Sequence, residues 1–414
     1  MRILYVSQYF PPEMGAPAAR AAELSRHWAL MGHQANVLTG FPNHPTGEVP
    51  PEWRSRLWKL LYQDTVDGVN VVRTWLWPLP NRKAHERIRN YASFWLSACV
   101  SGLDLEKSDL VIGTSPQLLV ALAACWLAWW VRAPFVFEVR DLWPESLAAV
   151  GVGGEGSLLH RILAVIAGFL YRHSAHVVVV SPAFKEHIVK HWGVPEEKIS
   201  VIENGVETDQ FRACPPRRLP GTEGRFVICY IGTMGIAHGL ETLIASAERL
   251  QEVLPGAMFL LIGEGAEKER IEQLVSARGL TNICLLGQQP RESIPAYIAG
   301  VDLCLVMLRK TELFKTVIPT KLLEYMACEK PVIVAVDGQA RGIVEAAGAG
   351  IFVEPQNSDA LVEAIAALAS DPDRRKAMGT NGRNYIVTYL SREKTAQKYL
   401  EVLEGVRNRR LSLQ

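Results

Sequence analysis

The sequence predicts an α/β protein made of two doubly wound domains, and three observations carry that expectation. The chain has 414 residues, more than one ordinary hydrophobic core organises. Continuous apolar runs such as Ile3-Leu4-Tyr5-Val6 recur, each closed by a polar or glycine turn, as strands covered on both faces do. These runs alternate with helical periodicity, and the rhythm starts twice, near residue 2 and again at "RFVICYIGTMG" (225–235).

The first half opens with "MRILYVSQYFPPE", a strand and loop rather than a signal peptide. The loop "PPEMGAPAAR" leads into an amphipathic helix over 21–31, stopped by Gly32. "HQANVLTG" is the next strand and turn, and "LVIGTS", "FVFEVRD" and "AHVVVVS" are later strands. "LLVALAACWLAWWV" (118–131) is the most membrane-like stretch. It is shorter than the roughly 18–20 residues a span needs, so a buried helix is expected, with bilayer contact the alternative.

The second half repeats the pattern through "AMFLLIGEGAEKERIEQLVSARGL", "NICLLGQ", "VDLCLVM", "KPVIVAV" and "AGIFVEP". "PPRRLPGTEG" (215–224) between the halves reads as a linker by composition, with a hinge near 205–224. The final "SREKTAQKYLEVLEGVRNRR" is a one-sided helix.

Composition narrows the function classes. A net charge of +1 argues against a nucleic-acid partner. Seven cysteines, none in a C-x-x-C pair or beside clustered histidines, read as reduced core thiols and not as a zinc site. In open α/β sheets, ligands bind beyond the carboxyl ends of the strands, so the informative residues should lie just after strands, facing a cleft between the domains.

Four loops meet that criterion. "YIGTMGIAHGLETL" places Gly232, Gly235 and Gly239 between a strand and a helix, a tight turn or a phosphate cradle. "LIGEGAEKERI" offers Gly263, Glu264 and Gly265 at the next strand end, either as a turn or beside a nucleotide. "FEVRDLWPESL" carries Glu138, Arg140 and Asp141, a structural ion pair or a site for phosphate and an acceptor hydroxyl. "FPNHPTGEVP" holds Asn43 and His44 after the second strand, and a lone His in such a proline-rich loop is either a surface residue, as is usual, or a site residue.

The segment "IPTKLLEYMACEKPVI" (318–333) poses a sharper problem. If Thr320 caps the helix, a capping box needs Glu or Gln at the position of Leu323, and Glu324 comes one residue late. An exposed Lys321–Glu324 pair would contribute only about 0.2–0.5 kcal/mol. The other expectation is that Lys321 neutralises phosphate while Glu324 accepts hydrogen bonds from vicinal hydroxyls such as a ribose diol.

Taken with "QYFPPEMGAPAAR", "VVVVSPAFKEHIV" and "VPEEKISVIENGVETDQF", these segments resemble family-four glycosyltransferases of the GT-B fold over nearly the whole chain. "VRDLWPES" and "IPTKLLEYMA" look like the branch that builds bacterial surface polysaccharides, similar to N-acetyl-L-fucosamine transferases. The resemblance implies an acceptor-binding domain over 1–204 and a nucleotide-sugar domain over 205–385. It also implies a C-terminal helix over 386–414 that crosses back to the first domain.

Carried over residue by residue, the donor site comprises Gly232, Thr233, Gly235, His238, Gly263, Glu264, Gly265, Thr320, Lys321, Leu322, Leu323 and Glu324. Gly15, Ala16, Arg20 and Asn43 form an acceptor or phosphate loop. Glu324 matches the second glutamate of the family's E-x7-E motif, but Thr316 stands where the first belongs. Thr233 and His238 likewise stand where the family commonly has Arg and Lys, so Lys321 is the first candidate for the missing positive charge, followed by Arg140, Arg20, Lys315 and Arg309.

The implied reaction is transfer from a UDP-sugar, N-acetylated deoxy-amino sugars included, to a polyprenyl-diphosphate-linked saccharide in O-antigen or capsule synthesis. Asp141 orients or deprotonates the acceptor hydroxyl, with Glu138 behind it and Arg140 and Lys321 stabilising charge. The UDP-sugar is substrate; neither cofactor nor metal is expected, and no D-x-D is present. The protein is expected in the cytoplasm, bound peripherally to the inner membrane. "PNRKAHERIRNYASFWLSACV" (80–100), with Arg82, Lys83, Arg87, Arg89, Phe94 and Trp95, is the expected contact, or else a solvated helix face over core aromatics. The rivals are a nucleotide-sugar 2-epimerase and a non-catalytic partner of a transferase.

Overall fold

The structure is a computed structural model that describes residues 1–13, 15–44, 46–57, 59–80, 84–145, 157–217, 219 and 221–412. It divides into two compact units, residues 1–204 with 392–414, and Gly205–Ser391.

The first unit is an eight-stranded sheet: β1 Arg2–Val6, β2 Gln34–Gly40, β3 Leu61–Val66, β4 Val69–Thr74, β5 Leu110–Thr114, β6 Phe135–Val139, β7 His176–Val179 and β8 Ile199–Val201. Their order is β3-β4-β2-β1-β5-β6-β7-β8, with Tyr5 level with Val37 and Ile112. The direction of travel along the sheet reverses at the β1/β5 boundary, so the loops after β1 and β5 open at a topological switch point. All neighbours are parallel except β3–β4, an antiparallel hairpin absent from the sequence-based expectation. Its signal is "VDGV": Asp67 and Gly68 both have positive φ, 50° and 79°, as a two-residue Asp-Gly turn requires.

The crossovers β4 to β5, β5 to β6 and β6 to β7 advance in one direction, so their right-handedness puts helices Ala84–Ser101, Leu118–Trp130 and Leu158–His173 in one layer, in contact with each other. The other side is covered by helix Ala16–Leu30 and the C-terminal helix Arg392–Leu411. Trp28 locks these two: its Nε1 donates to the Ala396 carbonyl (3.1 Å) and its ring meets Tyr399 edge-on. Arg392 adds a salt bridge to Glu23 (2.8 Å). The terminal helix thus packs on the first unit, as the GT-B expectation has it. It starts at Arg392; the π-helical turn Ile386–Leu390 packs within the second unit.

The second unit is a six-stranded, wholly parallel sheet: β9 Phe226–Ile231, β10 Ala257–Ile262, β11 Ile283–Gly287, β12 Leu303–Met307, β13 Val332–Ala335 and β14 Gly350–Phe352. The order β11-β10-β9-β12-β13-β14 puts its switch point between β9 and β12. Two apolar clusters cover its faces, one around Tyr325 and Leu322, the other around Leu243 and Phe259. The proline-rich stretch expected to be a linker is tied down where it is described. The Arg217 amide donates to the Ala296 carbonyl (2.8 Å), and its guanidinium lies over the Tyr297 ring. Phe211 just before it is fully buried. Aromatic and backbone partners elsewhere in the unit override a locally flexible composition.

Candidate functional site

In the second unit the candidate residues converge after β9, after β10 and at the start of helix Thr320–Ala327. Gly232 has φ 140° and its amide donates to the Ile262 carbonyl (2.8 Å). Gly263 has φ 145°, and a Cβ there would stand 2.0 Å from the Gly232 carbonyl oxygen. Only glycines let the two loops pass so closely. Met234 and Glu264 continue the contact through an amide-to-carbonyl bond of 2.8 Å. A Cβ on Gly265 would strike the Met234 carbonyl at 2.3 Å, so Gly265 serves the loop crossing. Glu264 is held by Lys268 (2.6 Å), which favours the turn assignment for this carboxylate.

Lys321 enters this crossing from below. Its Nζ lies 3.8 Å from the centroid of the Tyr230 ring, and a Cβ on Gly232 would come within 2.7 Å of it. The ammonium is buried without a hydrogen-bond partner. Burial, opposed by Glu324, brings its pKa down to about 7. An ammonium facing an aromatic ring and a glycine loop has donors to spare for an anion, which is the role expected of it.

His238 lies on the short turn Ile236–His238 after the same loop. Burial first, and Lys321 second, push its pKa down to about 3, so the imidazole is neutral. Its Nδ1 is buried with no hydrogen-bond partner. Thr233 is exposed, and its carbonyl accepts from the Tyr230 hydroxyl (2.7 Å).

The helix that carries Lys321 is capped differently from the expectation. Pro319 is its N-cap and Thr320 its first residue, with no side-chain cap. Leu322 and Leu323 are fully buried and belong to the core; as donor contacts their side chains are excluded. Glu324 is paired with Arg291 (3.1 Å), whose guanidinium also lies over the Phe211 ring. The carboxylate therefore has a cation of its own, a partner that sequence spacing did not disclose.

Thr316 ends the turn Leu313–Thr316, and its hydroxyl donates to the Leu313 carbonyl (2.6 Å). Beside that turn lies a hollow of about 180 Å³, lined by Arg309, Lys315, Asp337 and Glu354 among others. Asp337 and Glu354 follow β13 and β14, so the strand-end criterion was able to find them; the comparison with E-x7-E drew attention elsewhere. Arg309 donates to Glu241 (2.9 Å) and Lys315 pairs with exposed Glu312, so of these two and Lys321, the candidate cations of this unit, Lys321 is the one without a carboxylate salt bridge.

In the first unit the structure separates members of the expected set. Glu138 is wholly buried: Oε2 accepts from the Tyr5 hydroxyl (2.5 Å) and Oε1 from Arg20 Nε (3.0 Å). Burial alone would raise its pKa, but Arg20 and Arg140 outweigh that and hold it below the usual range. Arg20 spends its remaining donors on the Ile202 and Glu203 carbonyls and on Asn204 Oδ1. Both residues therefore fasten β1, β6 and the end of the unit together, which removes Arg20 as a phosphate ligand and Glu138 as an acid–base group. Arg20→Met strands a buried carboxylate and is expected to cost about 3–5 kcal/mol, read as a lowered urea midpoint with unchanged slope.

Asn43 is also structural. Its amide donates to Glu13 Oε1 (2.9 Å), its side chain donates to the Phe41 carbonyl, and its Oδ1 accepts from Asn90. Gly15, with φ 138°, precedes helix Ala16–Leu30 as its N-cap without a side-chain cap, and Ala16 is exposed. Glu13 of the same loop is a buried carboxyl that sequence reasoning passed over. It also accepts the His44 amide (2.9 Å), and burial raises its pKa to about 7.

Arg140 and Asp141 remain. Both backbone amides donate to Ser115 Oγ (2.8 and 3.3 Å), which binds the loop after β6 to the loop after β5 at the switch point. Arg140 Nε and Nη1 are buried without hydrogen-bond partners. The Asp141 carboxyl is pushed up to about 6 by burial, which Arg140 opposes. Among the described residues no three His, Cys, Asp or Glu are placed to hold a metal ion.

Comparison with known proteins fits both halves of this arrangement. Residues 15–205 match the glycosyl transferase 4-like domain, and residues 216–385 match glycosyl transferases group 1. The chain is a GT-B glycosyltransferase. WcaI of Escherichia coli (strain K12), named for a glycosyl transferase of colanic acid biosynthesis, is 24% identical over 98% of this chain and 100% of its own length. Among solved structures, sucrose-phosphate synthase from Thermosynechococcus elongatus aligns with a TM-score of 0.74 at 18% identity, covering 98% of this chain and 99% of that one. Anabaena HepE in complex with UDP aligns at 0.69 and 17% identity, covering 98% of this chain and all of that one. For this glycosyltransferase, structures of such low identity show the fold, and the two family matches carry the class of reaction.

Proposed function

We propose that this glycosyltransferase moves a sugar from a UDP-sugar to a polyprenyl-diphosphate-linked saccharide during surface-polysaccharide assembly. The observation that carries the reading is the Lys321 ammonium: buried, without a hydrogen-bond partner, against two glycine loops at the carboxyl ends of β9 and β10. An ammonium so placed suits the diphosphate of a leaving nucleotide, whose charge develops as the glycosidic bond breaks. WcaI, by its name, belongs to polysaccharide synthesis, and HepE has been solved with UDP; both support the choice of pathway class and donor.

The roles divide between the units. In the second, Lys321 neutralises phosphate, neutral His238 donates or accepts one hydrogen bond, and Glu324 takes the ribose hydroxyls with Arg291 fixing its orientation. Asp337 and Glu354 offer carboxylates toward the sugar in place of the one Thr316 lacks. In the first, Arg140 attends the acceptor's phosphate and Asp141 its attacking hydroxyl. Charge is supplied by protein cations, with UDP-sugar as substrate. An acceptor of this kind sets the work at the inner-membrane surface; among the described residues no helix is long and apolar enough to cross a membrane.

The deciding experiment incubates the protein with a panel of UDP-sugars, with and without a polyprenyl-diphosphate-GlcNAc acceptor. Transfer to the lipid-linked saccharide supports the proposal. An epimerised sugar in the absence of acceptor points to an isomerase, and UDP-sugar binding with no turnover on any acceptor points to a non-catalytic partner. Glu324→Ala is expected to weaken UDP binding about tenfold by calorimetry, the loss of roughly one good charge-assisted contact; undiminished binding would remove the ribose assignment.

A further inference from the structure

The layer made by helices Ala84–Ser101, Leu118–Trp130 and Leu158–His173 shows apolar side chains outward. On Leu118–Trp130 the inward face is Val120, Ala121, Ala124, Leu127 and Ala128, while Trp126, Trp129 and Trp130 are 42%, 68% and 52% exposed. On Leu158–His173 the inward face is small, with Ala167 and Gly168 beside Leu170 and Tyr171. Its outward stripe is Leu158, Ile162, Val165 and Phe169, at helical spacing. A soluble helix normally has the reverse pattern, so a stripe this long marks an interaction surface.

Among the described residues, helices Leu118–Trp130 and Leu158–His173 carry charge of one sign. Neither helix contains an Asp or Glu; Arg161, Arg172 and His173 border the stripe and are exposed. A groove of about 1250 Å³ at the amino ends of β6 and β7 joins Trp129 and Trp130 to Lys107, Arg132, His173 and Arg410. Of the nearby carboxylates, Glu86 lies in the first turn of helix Ala84–Ser101 and Asp104 ends the short turn after it; Glu106, between the groove residues Leu105 and Lys107, accepts from Gln34 Nε2 (3.0 Å). The stretch 80–100, expected to be the membrane contact, fits less well. Phe94 is fully buried, Arg89 lies over the Trp77 ring, and Arg82 and Lys83 fall outside the described residues.

We propose that helices Leu118–Trp130 and Leu158–His173 form a docking face for an anionic phospholipid bilayer. Trp129, Trp130 and the Leu158–Phe169 stripe sit at the boundary between headgroups and acyl chains, and Arg132, Arg161, Arg172 and Arg410 meet lipid phosphates. The exposed tryptophans suit this boundary, with an apolar ring and one N–H to satisfy. A second copy of the chain would oppose like charges across the same stripe, whereas an anionic surface complements them. The inference rests on the lipid-linked acceptor reading for its purpose, and on exposure and charge for its location.

Co-sedimentation with vesicles of phosphatidylglycerol and phosphatidylcholine tests it, against vesicles of phosphatidylcholine alone. Binding is expected only to the anionic vesicles and is expected to weaken with salt. W129S/W130S and I162S/V165S are each expected to lower it at least about tenfold with UDP affinity intact, because the altered side chains are exposed and belong to the unit that does not carry the glycine loops after β9 and β10. Equal binding by the variants, equal binding to both vesicle types, or a self-association in solution that the same substitutions abolish would each overturn the docking face. Transfer to a short-chain, water-soluble acceptor reports separately on the enzyme: its loss with vesicle binding intact sinks the reaction alone, and the converse sinks the docking face alone.

Discussion

Lys321→Met is expected to weaken UDP binding at least about thirtyfold, close to 2 kcal/mol, while making the unliganded protein more stable. Both signs follow from one observation. The ammonium is buried against Tyr230 without a hydrogen-bond partner, and burial lowers its pKa from 10.5 to about 7. Between those two values the unfolded chain holds a proton that the folded chain has released, so wild-type stability rises as pH climbs from about 7 to 10.5. Methionine fills similar volume with no charge to desolvate, and that rise disappears.

Binding has the opposite pH dependence. A diphosphate favours the protonated amine, so UDP binding takes up a proton above pH 7 and its dissociation constant grows toward about tenfold per pH unit there. Calorimetry in two buffers of different ionisation enthalpy reads this uptake. In the Met variant it should be gone. A variant that binds UDP as tightly as wild type, with proton uptake retained, would move the phosphate site away from Lys321. The paired loss and gain is the mark of a group kept for a ligand at the expense of the fold.

How much of this was legible in the sequence depends on whether the signal was local. The two doubly wound halves and the post-strand loops follow from periodicity and turn residues; the return of the last helix to the first unit was implied only by the family resemblance. The Asp67-Gly68 hairpin was also written locally, and went unnoticed beside the parallel pattern around it. What failed was partner choice. Nothing near Arg20 in sequence announces that Glu138 lies 118 positions away on the facing strand, 3.0 Å from its Nε. A basic residue in a loop expected to bind phosphate is indistinguishable, on spacing alone, from one buried against a carboxylate. Arg291 beside Glu324 is the same case in reverse: the carboxylate proposed for the ribose gains a cation from a turn 33 residues earlier. Lys321 was singled out from sequence because other cations were missing around it, an argument by charge balance that does not need to know the partner.

Asp141→Asn should lower kcat by about 10²–10⁴ and leave UDP affinity unchanged, because the residue belongs to the unit that lacks the nucleotide loops. Its backbone is fixed by Ser115, so the Asn side chain keeps its place and only proton acceptance is lost. Burial raises the carboxyl pKa from 3.8 to about 6, against the pull of Arg140. The wild-type rate should therefore climb as pH rises through about 6 and level off above it, where the carboxylate form dominates. Stability moves the other way: the folded chain holds a proton that the unfolded chain has lost between pH 3.8 and 6, so that interval destabilises the wild type by up to about 3 kcal/mol as pH rises. Asn carries no such penalty, and the variant should unfold at a higher urea concentration at pH 7. A slow but stable enzyme without the limb near pH 6 is the outcome expected of an acceptor base. A variant that keeps the limb would assign it to another group, with Glu13, a buried carboxyl of the loop after β1 whose pKa is about 7, the next to replace.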